Sequence, residues 1–287
     1  DTGCARGHVI VDNRPMIEQP DATPENPMAD HVINKIGLHA PDPDGACGDR
    51  LHLHLSPMVL EDDGHVDFGV LGVFCDMASS QAVDLGPFLH ADISINRIAR
   101  PAGERLYATS TALRSGKRTT IVHLEIIDDT GVRIAESTQQ IVMMKPSPEM
   151  AAALHDGDRD AWRRRFMAAF DGVCRLDGRL HDIIGIEREP DGTTCRMSLS
   201  SASRNGFGGL HGGVAFDLVT EAAVAASGDG AEPGGALLRY LAPATAGPFR
   251  AVAAAHPRDD GSTIAMVEVF DEGQDDLRCI VAEVHLT

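Results

Sequence analysis

Two stretches carry residues whose types and spacing could do chemistry. The first is DFGVLGVFCDMASS, residues 67–80, where the carboxylate of Asp76 interrupts the apolar run that follows Asp67. At helical spacing Val70, Phe74, Met77 and Gln81 share one stripe, and Gly69, Gly72, Val73, Asp76, Ser79 and Ser80 share the opposite one. A carboxylate on an apolar helix is costly to bury unless something compensates it. Asp76 is therefore either a structurally satisfied acid or a general base or nucleophile. The second stretch is NGFGGLHGGV, residues 205–214, a glycine-rich turn that runs straight into an apolar helix. The first N–H groups of a helix are unpaired and carry partial positive charge. With glycines around them they can hold an oxyanion or a polarised carbonyl oxygen. The plainer reading of the same glycines is a tight turn.

The elements that position these residues come in two copies. Asp67-Phe68-Gly69-Val70 and His211-Gly212-Gly213-Val214 both open a helix, 144 residues apart. The strands ending at Leu55 and Leu199 keep the same offset. Pro101 answers Pro243, and Ile121–Asp128 answers Ile264–Asp271, with drifts of one or two residues that loop insertions explain. Each copy reads strand, glycine-bearing turn, helix, then three or four long strands with alternating apolar and polar residues. This is α+β, one helix per sheet of roughly five strands. The expected organisation is an N-terminal arm at 1–28, a first domain at 29–145, a linker with amphipathic helix at 146–175 and a second domain at 176–287. The copies differ where chemistry would sit: Thr220 occupies the place of Asp76, and Asp67 and Phe68 occupy the places of His211 and Gly212.

Composition narrows the function classes. A net charge of −18 opposes binding to nucleic acid or an anionic membrane, so neither partner is expected. No apolar run reaches the roughly 20 residues of a membrane span, and the N-terminal stretch lacks the apolar core of a secretory signal. The six cysteines show neither a C-x-x-C pair nor a metal-ligand spacing, which reads as reduced thiols in a cytoplasmic protein. His52 and His54 alternate with leucines as the polar face of a strand, so no metal site is expected. There is no G-x-S-x-G elbow, P-loop or dinucleotide fingerprint.

The pattern N-x-x-G-x-L-H-G-G-V at 205–214, the D-x-A of Asp76-Met77-Ala78 and the strands from Ile95 to Thr138 resemble the hotdog-fold acyl-CoA thioesterases of the phenylacetate-pathway type. The resemblance covers about 31–145 and 176–287. It implies two tandem hotdog folds, each an antiparallel sheet wrapped around a central helix, packed as an intramolecular pseudo-dimer. In that family each site is composite, with Asn, His and Gly from one subunit and the acid from its partner. Carried onto this chain, Asp76 would face Asn205, His211 and Gly212. Asp76 would serve as general base or nucleophile, the Gly212 N–H as oxyanion donor, Asn205 as a positioner of water or carbonyl, and His211 as support for the turn or the thiolate. Gly213 and His90 would line the substrate; His90 stands where the family places Ser or Thr. Coenzyme A phosphates need cations, for which Arg97, Arg100, Arg114, Lys117, Arg118 and Arg239 are candidates. The second composite site, with Thr220 against Glu61, Asp67 and Phe68, would be dead or repurposed.

The implied reaction is hydrolysis of an acyl-CoA thioester to acid and CoA, with no cofactor beyond the CoA of the substrate. Two alternatives stay open: a non-catalytic acyl-CoA binding or sensing protein, and a hotdog-type hydratase or dehydratase. The latter would need an Asp-x-Asn-Pro-x-His run, which Asn26-Pro27 and Asp30-His31 supply only in the wrong order. A double unit either stands alone or pairs back to back as a homodimer, and the sequence leaves both open.

Overall fold

The computed structural model of the chain describes residues 30–41, 50–83, 88–145, 170, 172–228 and 230–287. The expected N-terminal arm and nearly all of the expected linker helix lie outside the described residues.

Alternating sequence becomes strand wherever one face can be buried. In β5 (Thr119–Asp128) every second residue from Thr120 to Asp128 is buried and its neighbours are not, the period of a half-covered pleat. β3 (Phe88–Arg97), β4 (Arg105–Ser115) and β6 (Arg133–Met143) complete the long strands of the first half. Short β1 (Leu38–His39) and β2 (His52–His54) extend it. The second half repeats the set as β7 (Glu187–Arg188), β8 (Thr194–Met197), β9 (Pro233–Tyr240), β10 (Phe249–Pro257), β11 (Thr263–Asp271) and β12 (Leu277–Leu286). All pairings are antiparallel.

The sequence suggests two sheets of about five strands; the structure has one of twelve, in the order β1-β2-β4-β5-β6-β3-β9-β12-β11-β10-β8-β7. Read from either end, the order visits equivalent strands of the two copies. The seam is β3 against β9, with Asp92 opposite Arg239 and Asn96 opposite Gly235. Joining there removes two strand edges that would otherwise stand unpaired. The extra strand of each half, β1 and β7, is two residues long, too short for a periodic signal.

Two long helices lie at the centre. α2 (Phe68–Ser79) is buried along all twelve residues, and α4 (Gly212–Ser227) along most of its length. Two short helices flank them, α1 (Val32–Lys35) and α3 (Leu180–Ile184). The long helices touch at glycines. A Cβ on Gly72 would stand 2.6 Å from the Phe216 Cβ and 2.8 Å from the Gly213 carbonyl oxygen. A Cβ on Gly213 would strike the Val73 backbone. Only at this spacing does a group on one helix reach the first turn of the other. Around the crossing, Phe74, Phe216, Ile93 and Leu124 are fully buried.

Small turn devices repeat as well. The isolated bridges Leu60↔Val66 and Arg204↔Leu210 frame the turns before α2 and α4. Asp128 gathers the N–H groups of Ala102 and Gly103, and Asp271 those of Thr245, Ala246 and Gly247. Each acid ties down a turn in its half of the sheet in the same way, and hydrogen bonding holds both carboxyls below the usual range against the opposing effect of burial.

Candidate active site

Asp76 sits in the third turn of α2, 8% exposed, where α2 meets the start of α4. Its Oδ2 accepts from the Gly213 N–H at 2.6 Å. The acid is thus placed at the positive end of the other copy's helix, which offsets part of its burial cost. Two imidazoles flank it: His211 Nδ1 is 3.5 Å from Oδ2, and His90 Nδ1 is 3.6 Å from Oδ1.

The hydrogen bonds fix where each ring carries its proton. The Ser79 hydroxyl donates to the Asp76 carbonyl oxygen at 2.7 Å, so at 2.9 Å it must accept from His90 Nε2. His90 then turns the bare lone pair of Nδ1 toward Asp76. Burial lowers its pKa, with Asp76 acting in the opposite sense, so the ring is neutral. His211 caps α4, its Nδ1 accepting from the Gly213 N–H at 3.1 Å, which leaves the proton on Nε2. His31, the N-cap of α1, stands edge-on to His211 with ring centroids 5.6 Å apart. Its Nε2 donates to the Arg204 carbonyl oxygen at 2.6 Å. Burial and then His211 lower its pKa to about 4.

Tyr240, at the end of β9, closes the other side. Its hydroxyl donates to the Gly212 carbonyl oxygen at 2.8 Å. Burial, then Asp76 and Asp92, raise its pKa well above the ordinary value, so it stays a donor. Beneath the site, Gln139 donates to the Cys75 carbonyl oxygen at 3.0 Å. The Cys75 thiol is pushed up to about 12 by burial and is no nucleophile.

Of the residues expected from the sequence, the fold brings Asp76, His211, Gly212, Gly213 and His90 together. The Gly212 N–H has no acceptor among the described residues, and a Cβ there would stand 2.6 Å from Asp76 Oδ2. Asn205 is engaged differently from the expectation. Its Nδ2 donates to the Leu210 carbonyl oxygen at 3.0 Å, and its Oδ1 accepts from the Phe207 and Gly209 N–H groups. The side chain thereby braces the turn that presents His211 and Gly212. Arg97 and Arg100 lie at the other seam. Arg97 is ion-paired with Glu61 at 2.7 Å and its side chain is 5% exposed; Arg100 is 3.4 Å from Asp63. Neither reaches Asp76. At that second seam Thr220 points its hydroxyl back at the Phe216 carbonyl oxygen, 2.9 Å away. Sequence reasoning missed His31, Tyr240, Ser79 and Gln139. Ser79 alone had a signal, sharing the Asp76 stripe of α2.

No family model matches the sequence, and no curated protein matches it. Solved structures do match. One is a hot dog fold protein of unknown function from Alicyclobacillus acidocaldarius, with TM-score 0.54 and 11% identity over 89% of this chain and 97% of that one. The fold is a hotdog fold. The 12:0-ACP thioesterase from Umbellularia californica superposes with TM-score 0.57 and 12% identity, over 83% of this chain and 93% of that one. A Mycobacterium avium subs paratuberculosis tesB protein gives TM-score 0.57 and 13% identity, over 89% and 97%. In hotdog terms, α2 and α4 are the long helices that the sheet wraps. No helix among the described residues is long and apolar enough to cross a membrane.

Proposed function

We propose that the chain is two tandem hotdog units packed as an intramolecular pseudo-dimer, hydrolysing an acyl thioester, with coenzyme A as carrier, at the seam that holds Asp76. The observation that carries this reading is the meeting of the Asp76 carboxylate, the His90 and His211 imidazoles and the start of α4 at one point. The name of one structural neighbour, the 12:0-ACP thioesterase from Umbellularia californica, agrees with it.

Asp76 acts as general base in this reading. Its Oδ1 and the His90 Nδ1 lone pair are both acceptors and lie 3.6 Å apart. A water accepted by both, at about 2.8 Å from each, fits between them with its two hydrogens directed at the two acceptors. The thioester carbonyl oxygen takes the Gly212 N–H, with the α4 dipole behind it. The water oxygen attacks the carbonyl carbon while its proton passes to Asp76. The tetrahedral intermediate collapses with cleavage of the C–S bond, and the departing thiolate receives the proton. His211 and Asn205 hold the turn, and Tyr240 holds the Gly212–Gly213 peptide plane, whose N–H donates to Asp76. Gly213 completes the wall beside the reacting carbonyl.

Thiol release from a panel of acyl-CoA and acyl-carrier thioesters, by wild type and Asp76→Asn, tests the reading. Release by wild type that the variant loses supports it. Binding of acyl-CoA with no release by wild type replaces it with an acyl-CoA-binding module.

A further inference from the structure

The second seam, where the first site's chemistry has been lost, has its own arrangement. A cavity of about 330 Å³ opens there between α2, α3 and α4. Seven carboxylates line it against two arginines and one histidine, so an anionic CoA thioester would be repelled and a cation drawn in. Asp217 and Glu221 project into it from the same face of α4, four residues apart, and His181 reaches in from α3. Ligand atoms of all three lie within 4.8 Å of one another.

Asp217 is 2% exposed, and its Oδ2 is buried with no hydrogen-bond partner. An orphaned buried carboxylate oxygen is expensive. Burial, then Asp67 and Glu221, push its pKa well above the usual carboxylate range. The Arg188 guanidinium holds Glu221 through Oε2 alone, at 3.1 and 2.7 Å, leaving Oε1 turned to His181. Glu221 Oε1 and His181 Nδ1 are 3.4 Å apart. That is long for a charged hydrogen bond, which closes to about 2.7–2.9 Å. It equals the edge of a tetrahedron whose ligands sit about 2.1 Å from a central ion. Asp182 lies 3.8 Å from the other ring nitrogen of His181, on the side where a carboxylate orients a ligating imidazole.

We propose that His181, Asp217 and Glu221 bind one divalent transition cation, zinc being the reference ion, which clamps α3 to α4 at the seam that lacks Asp76. One imidazole with two carboxylates is a borderline donor set, suited to zinc or manganese over magnesium or calcium. The all-histidine candidate cluster, His39, His52 and His54, is less apt. The His39 and His52 rings stack at 4.4 Å and 11°, so their lone pairs lie in nearly parallel planes and do not converge.

The test uses the full chain, stripped with chelator and titrated with zinc, manganese and magnesium against a chromogenic competitor and by thermal melting. Wild type should take up one zinc, with a midpoint raised by about 5–10 °C at a hundredfold excess over Kd. Asp217→Asn and His181→Asn should each weaken uptake at least tenfold, while His52→Asn should bind like wild type. Circular dichroism identifies folded variants, and His181→Asn serves if Asp217→Asn does not fold. Three results would overturn the assignment: no zinc uptake by wild type, uptake undiminished in a folded His181→Asn chain, or equal stabilisation by magnesium. The readout is metal, so the outcome is independent of the thioester reading.

Discussion

Asp76 in α2 and Gly213 at the start of α4 are 137 residues apart in sequence and share a hydrogen bond of 2.6 Å. The bond spends the second free donor of α4 on the acid and leaves the first, the Gly212 N–H, for a ligand. It places the only carboxylate of the α2 interior at the positive end of the neighbouring helix.

Asp76→Asn keeps this geometry, because an amide oxygen still accepts from Gly213, but removes the proton acceptor. The kcat/KM for thioester hydrolysis should fall by about 10²–10⁴-fold, with a melting midpoint close to that of wild type. Steady-state thiol release and a thermal melt read the two quantities. Activity within tenfold of wild type in the variant would falsify the role given to Asp76.

The two neighbouring glycines should separate catalysis from folding. An alanine at 212 puts its Cβ 2.6 Å from Asp76 Oδ2 and 3.3 Å from the Tyr240 hydroxyl, both side-chain ends that can yield. Gly212→Ala keeps the N–H but pushes Asp76 aside, so it should fold and lose about 100-fold in kcat. An alanine at 213 meets the Val73 backbone and stands 2.7 Å from the Gly72 carbonyl oxygen, where nothing can swing aside. Gly213→Ala should cost about 1–3 kcal/mol of stability, read as a lowered denaturant midpoint. Equal loss of stability in both variants would contradict this division.

Much of this was legible in the chain because the repeat is a physical constraint. Asp67 and His211, aligned by sequence alone, are the N-caps of α2 and α4. The alternating strands were readable because each buries one face. The continuity of the sheet was not, because the β3–β9 seam is made of backbone pairing that leaves no mark on side-chain pattern. The residues that complete the site were equally hidden. His31 arrives from a four-residue helix and Tyr240 from a strand end, both brought in by tertiary folding alone. Asn205 was recognisable but misleading in role, since a side chain that braces a loop and one that touches a substrate occupy the same sequence position.

His90 should set the acid limb of the rate profile. Its acceptor function needs the neutral ring, and burial puts its pKa below the ordinary value of 6.5. Activity should thus persist as pH falls through 6.5 and decline only below it, as the ring gains a proton. In His90→Asn the rate should fall at all pH values and this limb should disappear. A profile of kcat/KM against pH for both proteins checks it. An acid limb that is unchanged in the variant would assign it to another group.

At the second seam, the buried acids oppose folding at neutral pH. Burial raises the folded-state pKa of both Asp67 and Asp217 above the ordinary value of 3.8. The folded chain therefore holds protons that the unfolded chain has released, and stability falls as pH rises from about 3.8 toward the folded-state pKa values. Asp217→Asn removes one of these charges and supplies an N–H donor beside Asp67. In metal-free buffer at pH 7 the variant should be more stable than wild type by about 1–3 kcal/mol, with the gain shrinking as pH approaches 4. Urea titrations at pH 7 and pH 4.5, both with chelator present, measure the difference. A metal-free variant less stable than wild type at pH 7 would mean that the Asp217 carboxylate already has a compensating partner in the folded chain.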